Sequence, residues 1–171
     1  IVLNGEIYNH LFLRKEYLKD HRFESTSDAE TLVELIDKYG VAKTLPLLNG
    51  MFAFACFNKK ENQTIIARDR FGIKPLFISK NNRGITFSSE ITPIQQLKNI
   101  QNRLNYLSLY RLLVFWYVCE PETIFQDISA VAPGTFYTIN KDLSMNAYSI
   151  HKNKFSIIKM KKSYLLLYSK Y

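Results

Sequence analysis

The chain has 171 residues and a mass of 20.0 kDa, 47% hydrophobic and 22% charged, the size and balance of one soluble globular domain. Its net charge of +8 is unevenly spread: residues 151–171 hold six lysines and no acid, while residues 1–150 carry 17 basic against 15 acidic groups, a near-neutral body that excludes a nucleic-acid surface. No apolar run nears the ~20 residues of a membrane span, no leader segment is evident, and Cys56 and Cys119 show neither a disulfide framework nor metal-ligand spacing, so a reducing, cytoplasmic setting is expected.

Residues 1–3 read as the end of a buried strand running into the turn pair Asn4-Gly5. Leu11, Leu13 and Leu18, with charged residues between them, predict a short helix over 10–19. A clearer helix follows. Ser27 can cap it, Glu30 stands three residues on as in a capping box, and Leu32, Val33, Leu35, Ile36 and Tyr39 form one apolar face before Gly40 stops it. In residues 51–57, Met51, Ala53, Ala55 and Phe57 alternate with Phe52, Phe54 and Cys56. Both faces are apolar, which predicts a strand in a sheet covered on both sides. Residues 59–62 form a polar turn and 64–67 a returning strand. A second strand pair is predicted at 76–79 and 85–88, helices at 89–97 and 104–115, and a last hairpin at 131–139 and 143–148, turning at Asn140-Lys141-Asp142. Hairpins sandwiched between helical layers make the fold α+β.

Three segments could carry chemistry. Asn4-Gly5-Glu6-Ile7-Tyr8-Asn9 reads locally as a hairpin signal, yet an Asn side-chain amide beside a Gly N–H is also a pair of donors for a developing oxyanion. In Ser25-Thr26-Ser27-Asp28-Ala29-Glu30, Asp28 suits the positive end of the helix dipole and could equally face a substrate ammonium group. Arg68-Asp69-Arg70-Phe71-Gly72-Ile73-Lys74-Pro75-Leu76 reads as a solvated connection with internal ion pairs, and its one Gly excludes a phosphate cradle. His10, His21 and His151 have no partner at metal-ligand spacing. Cys56 is expected to be a buried, inert thiol, and Cys119 has no nearby base.

Taken together and in this order, these segments resemble the asparagine synthetase branch of the class II glutamine amidotransferases, which are N-terminal nucleophile hydrolases. Leu48-Asn49-Gly50-Met51-Phe52-Ala53-Phe54-Ala55, Ser88-Ser89-Glu90, Glu120-Pro121-Glu122-Thr123-Ile124-Phe125 and Ala132-Pro133-Gly134 also fit that branch, so the resemblance covers residues 1–148. It implies a four-layer αββα sandwich that hydrolyses glutamine to glutamate and ammonia. It further implies a separate ATP- and magnesium-dependent synthetase domain that amidates aspartate, and a homodimer as the assembly. By the same resemblance the Asn4 side chain and Gly5 N–H form the oxyanion hole, while Glu6 and Asp28 hold the glutamine, Asp28 opposite its α-amino group. No metal or cofactor is implied for this chain itself.

The match departs from the pattern in four places. The family's nucleophile is an N-terminal cysteine whose own amine is the base, and this chain opens on Ile1. The arginine that grips the substrate carboxylate falls before residue 1, and the family's ATP loop does not appear. After Tyr148 the family continues with Trp, whereas Ser149 stands here. Residues 1–150 are therefore expected to be a partial amidotransferase domain, truncated at both ends and inactive alone, with residues 1–3 unpaired. Residues 151–171 are expected to be a basic tail, its composition that of a frame read out of register. Two other readings compete: an amidotransferase acting on another acceptor, such as a surface-polysaccharide sugar, and a non-catalytic ligand-binding remnant.

Overall fold

The computed structural model describes residues 1–81, 84–98 and 100–150, so the expectation for the basic tail lies outside the described residues. The elements in chain order are β1 (Val2–Ile7), α1 (His10–Tyr17), α2 (Asp28–Tyr39), α3 (Val41–Thr44), β2 (Gly50–Asn58), β3 (Gln63–Arg68), β4 (Phe77–Asn81), β5 (Gly84–Ser88), α4 (Ile91–Gln95), α5 (Tyr106–Phe115), β6 (Ser129–Ala130), β7 (Thr135–Ile139) and β8 (Met145–Ser149). All strand pairs are antiparallel. They build a five-stranded sheet in the order β1-β2-β3-β7-β8 and a three-stranded sheet in the order β5-β4-β6.

Three apolar clusters separate four layers. Leu32, Leu35 and Ile36 of α2 and Leu13 of α1 pack with Ile7, Phe52 and Phe54 on one face of the large sheet. Ala53, Ala55, Ile66 and Ile139 on its other face meet Leu76, Ile78 and Val131 from the small sheet and its approaches. Behind the small sheet, Ile94 of α4 packs with Ile100 and Ile128 against Phe77. The order helix, sheet, sheet, helix is the expected αββα sandwich. Strand β2 lies between β1 and β3, and its doubly apolar pattern is explained: Phe52 and Phe54 serve the first cluster, Ala53 and Ala55 the second. A fully buried side chain such as Leu32 or Leu35 contributes about 1.5–3 kcal/mol.

The structure corrects several boundaries. β1 does not end at Asn4-Gly5; it runs on through Ile7, paired with β2 from Val2↔Ala55 to Ile7↔Gly50. No hairpin forms at that dipeptide, and residues 2–3 are paired rather than unpaired. Ile1 and Val2 are exposed, not buried, and β1 is the edge strand of the large sheet, with no strand on its outer side among the described residues. The strand predicted over 131–139 begins only at Thr135, because the chain turns at Pro133-Gly134, where Gly134 takes φ +63°, on its way from β6 in the small sheet to β7 in the large one. The helix predicted over 89–97 shrinks to α4, because Glu90 is extended (φ −130°, ψ 153°) and cannot continue it backwards. Asn105 starts α5 by accepting from the Ser108 N–H at 3.2 Å, two residues into the predicted helix.

Candidate functional site

Two glycines decide how closely β1 lies on β2. At Gly5, with φ +134°, a Cβ would run into the Met51 carbonyl oxygen and stand 2.8 Å from the Phe52 Cα. At Gly50 it would run into the Glu6 carbonyl oxygen. Both obstacles are backbone, so only glycine fits either place. Asn9 then locks the exit of β1. Its side chain donates to the Leu47 carbonyl at 2.9 Å and accepts from the Asn49 N–H at 2.9 Å, beside a Tyr8 N–H bond to the Asn49 carbonyl.

The alternation of antiparallel pairing sets the direction of the donors. Phe52 turns its N–H and carbonyl to Asp69 on the β3 side, and the Tyr8 N–H points back toward the chain entering β2. Gly5, opposite Phe52, therefore turns its N–H to the open edge of the sheet, on the same side as Ile7. The Ile7 N–H on that edge is bonded by the Asp28 carboxylate at 2.8 Å. Asp28 thus neither only complements a helix dipole nor stands free. It ties the start of α2 to the edge of β1, within the Asn4–Ile7 segment, and its other oxygen carries no bond among the described residues.

The turn that presents Asp28 is held from below. Arg14 of α1 donates to the Ser25 carbonyl (2.8 Å), the Ser27 carbonyl (2.6 Å) and the Thr31 hydroxyl (2.6 Å), and its guanidinium lies 3.8 Å over the Phe23 ring. Ser27 caps α2 as predicted, accepting from the Ala29 N–H at 3.2 Å. Glu30, however, does not reach back to Ser27. Its carboxylate accepts from the Ser25 hydroxyl and from the N–H groups of Ser25 and Glu24, and the Ser25 hydroxyl bond foremost holds its pKa below the usual carboxylate value.

Asn4 and Glu6 share the β1 face that looks toward the small sheet, as Ala53 and Met51 do opposite them. Asn4 lines a cleft of about 200 Å³ with Leu76, Phe87 and Ser89. Its amide nitrogen donates to the Ser89 hydroxyl at 3.0 Å. A carboxamide NH2 carries two hydrogens, so one remains for a ligand. Glu6 is exposed, and among the described residues nothing bonds its carboxylate. Of the four residues singled out in the sequence, Asn4, Gly5 and Glu6 thus follow one another along β1, and Asp28 meets the edge of that strand at Ile7.

The Arg68–Leu76 segment is not the solvated loop expected. Arg68 is 5% and Asp69 1% exposed. Asp69 accepts the N–H groups of Phe71, Ile73, Lys74 and Phe52, which shapes the turn around its side chain. Arg68 donates to the carbonyls of Gly72, Lys74 and Val131 and to both oxygens of Glu120, at 2.7 and 3.1 Å. Its ion pair therefore leaves the loop and joins two motifs that are 52 residues apart. Cys56 lies on the helix-facing side of β2, packed against the first cluster, and burial raises its thiol pKa. Cys119 is exposed. Among the described residues no three His, Cys, Asp or Glu side chains converge as a metal site needs, and no helix is long and apolar enough to cross a membrane.

Asparagine synthetase [glutamine-hydrolyzing] 1 of Bacillus subtilis is 32% identical over 167 residues, 97% of this chain and 26% of that protein. Asparagine synthetase [glutamine-hydrolyzing] 3 of the same organism is 37% identical over 144 residues, 83% of this chain and 23% of that protein. The chain thus spans about a quarter of the length of these curated relatives. In structure it is similar to glutamine phosphoribosylpyrophosphate amidotransferase from Bacillus subtilis, with a TM-score of 0.59 at 22% identity over 89% of this chain and 29% of that one, a likeness of fold. The family described as the glutamine amidotransferase domain matches residues 1–149, and the chain belongs to that family.

Proposed function

We propose that this domain is the glutamine-hydrolysing part of an asparagine synthetase, in which ammonia released here amidates aspartate in an ATP-dependent partner domain of the longer protein. The observation that supports the reading is the placement of these groups along β1: the Asn4 amide towards the small sheet, the Gly5 N–H on the open edge and the Asp28 carboxylate fixed by Ile7. Asn4 and Gly5 donate to the oxyanion that forms when the glutamine carboxamide is attacked. Asp28 takes the substrate ammonium on its free oxygen, and Glu6 adds a second anchor.

The attacking thiol is not one of the two in this chain. Cys56 faces the helical layer, away from Asn4, its thiol is held protonated by burial, and its nitrogen is committed to a peptide bond. Cys119 lies on an exposed loop with no base beside it. The nucleophile and its amine base come from outside residues 1–171, and this chain alone binds glutamine without turning it over. Nucleotide chemistry belongs to the partner domain of the longer protein, which acts in the cytoplasm.

The test uses the longer protein. Asp28→Asn keeps an oxygen for the Ile7 N–H but removes the charge, so glutamine-dependent asparagine formation should fall about 10–100-fold, the equivalent of ~1.5–3 kcal/mol. Asparagine formation from free ammonia should be unchanged. Equal loss of both activities would show that Asp28 only holds α2 to β1.

A further inference from the structure

We infer that Ser89 is a positioning residue for the oxyanion site: its hydroxyl fixes the plane of the Asn4 carboxamide so that the second amide hydrogen is aimed at the substrate. The inference rests on the reading of Asn4 as an oxyanion donor and adds a residue to which no role has been given.

The geometry is specific. Asn4 stands on an edge strand, where a side chain has neighbours on only one flank and its amide is free to turn. One bond limits that freedom, from Asn4 Nδ2 to Ser89 Oγ at 3.0 Å, in a part-buried setting and across 85 residues of sequence. Ser89 directly follows β5 of the other sheet, so the contact crosses the gap between layers. Its position is set independently of Asn4. Phe77↔Ser88 pairing holds the end of β5, and the Glu90 N–H bonds the Ser88 hydroxyl at 3.2 Å, which turns the chain at this point. Leu76, Phe87 and Ala53 line the cleft beside the contact and offer the amide no competing acceptor from their side chains.

A carboxamide held by one hydrogen presents the other in a fixed direction, and pre-set donors are what stabilise a developing oxyanion without reorganisation. Serine suits the task because its hydroxyl accepts from Asn4 while its own proton rotates away.

The experiment takes the 171-residue chain with Ser89→Ala and Ser89→Thr variants and reads two quantities. The first is the order parameter of the Asn4 side-chain NH2, expected near the ~0.85 of rigid groups in the parent and Thr forms and below ~0.6 in the Ala form. The second is affinity for L-glutamine against L-norvaline, which keeps the α-amino and α-carboxylate groups but has no carboxamide. Ser89→Ala should weaken glutamine by about three- to tenfold, the loss of one net hydrogen bond, and leave norvaline unchanged. Ser89→Thr should restore glutamine. An Asn4 amide that stays ordered in Ser89→Ala, or an equal loss for both ligands, would overturn the positioning role while leaving the glutamine reading intact. A parent chain that binds norvaline and glutamine equally would instead remove the oxyanion reading of Asn4, and the inference with it.

Discussion

Replacing Arg68 by Met should unseat the connection between the two halves of the sandwich. The methionine keeps most of the stem volume, so the loss is electrostatic rather than steric. Arg68 is 5% exposed and makes five hydrogen bonds, three to carbonyls and two to Glu120. Breaking a fully buried ion pair costs ~3–5 kcal/mol, but the Glu120 side chain is 33% exposed and can rehydrate, which discounts that figure by roughly half. The Val131 carbonyl lies in a buried contact and loses its guanidinium donor, adding ~1–2 kcal/mol. The sum is about 3–4 kcal/mol. In urea, with a slope of ~2 kcal/mol/M for a domain of this size, the unfolding midpoint should drop by about 1.5–2 M at unchanged slope. Glu120→Gln, which keeps an acceptor, should lose only about 1–2 kcal/mol. An Arg68→Met loss below ~1 kcal/mol would refute the reasoning, because it would mean that the loop is held by Asp69 alone.

Gly5→Ala should destabilise the domain by at least ~2 kcal/mol, because both the +134° φ and the backbone of Met51 and Phe52 oppose a Cβ; a urea midpoint within error of the parent would contradict the close approach of β1 and β2. Glu30 has a lowered pKa in the folded chain, so its contribution is fully present above the ordinary glutamate value of ~4.3 and is lost as pH falls through the lower folded value. Unfolding curves of Glu30→Gln and the parent should therefore differ at neutral pH and converge in acid; curves that stay equally separated at every pH would show that the Ser25 and Glu24 contacts do not depend on charge.

The parts of this fold that can be read from sequence are those set by local pattern. The alternation in β2 announces two covered faces because each residue type is dictated by the layer it enters. Ser27 announces α2 because its cap acts two residues away. Asn4-Gly5 misleads, since the same dipeptide that favours a turn also permits the φ of +134° at which an edge strand crowds its neighbour. Glu30 misleads in a smaller way: its spacing suits a capping box, but Arg14 holds the Ser25–Ser27 turn, and the Ser25 and Glu24 donors are the ones it meets. The site itself was half legible. Asn4, Gly5, Glu6 and Asp28 stand out through their family resemblance, yet the Asp28–Ile7 bond, the Asn4–Ser89 bond and the Arg68–Glu120 pair span 21, 85 and 52 residues. Contacts of that range leave no periodicity, so only the assembled sheets disclose them.

Glutamine is proposed to bind at the open edge of β1, between Asn4–Ile7 and Asp28. The most direct measurement is an NMR titration of the isotope-labelled chain with L-glutamine, following every backbone amide and side-chain NH2 resonance. Saturable shifts are expected at the Gly5 and Ile7 N–H groups, at the Asn4 NH2 and at the start of α2 around Asp28, with Asp28→Asn moving their midpoint to about 10–100-fold more glutamine. Saturable shifts confined to another surface, such as the groove beside Cys56 and Lys60, with Gly5 and Asn4 unmoved, would contradict it.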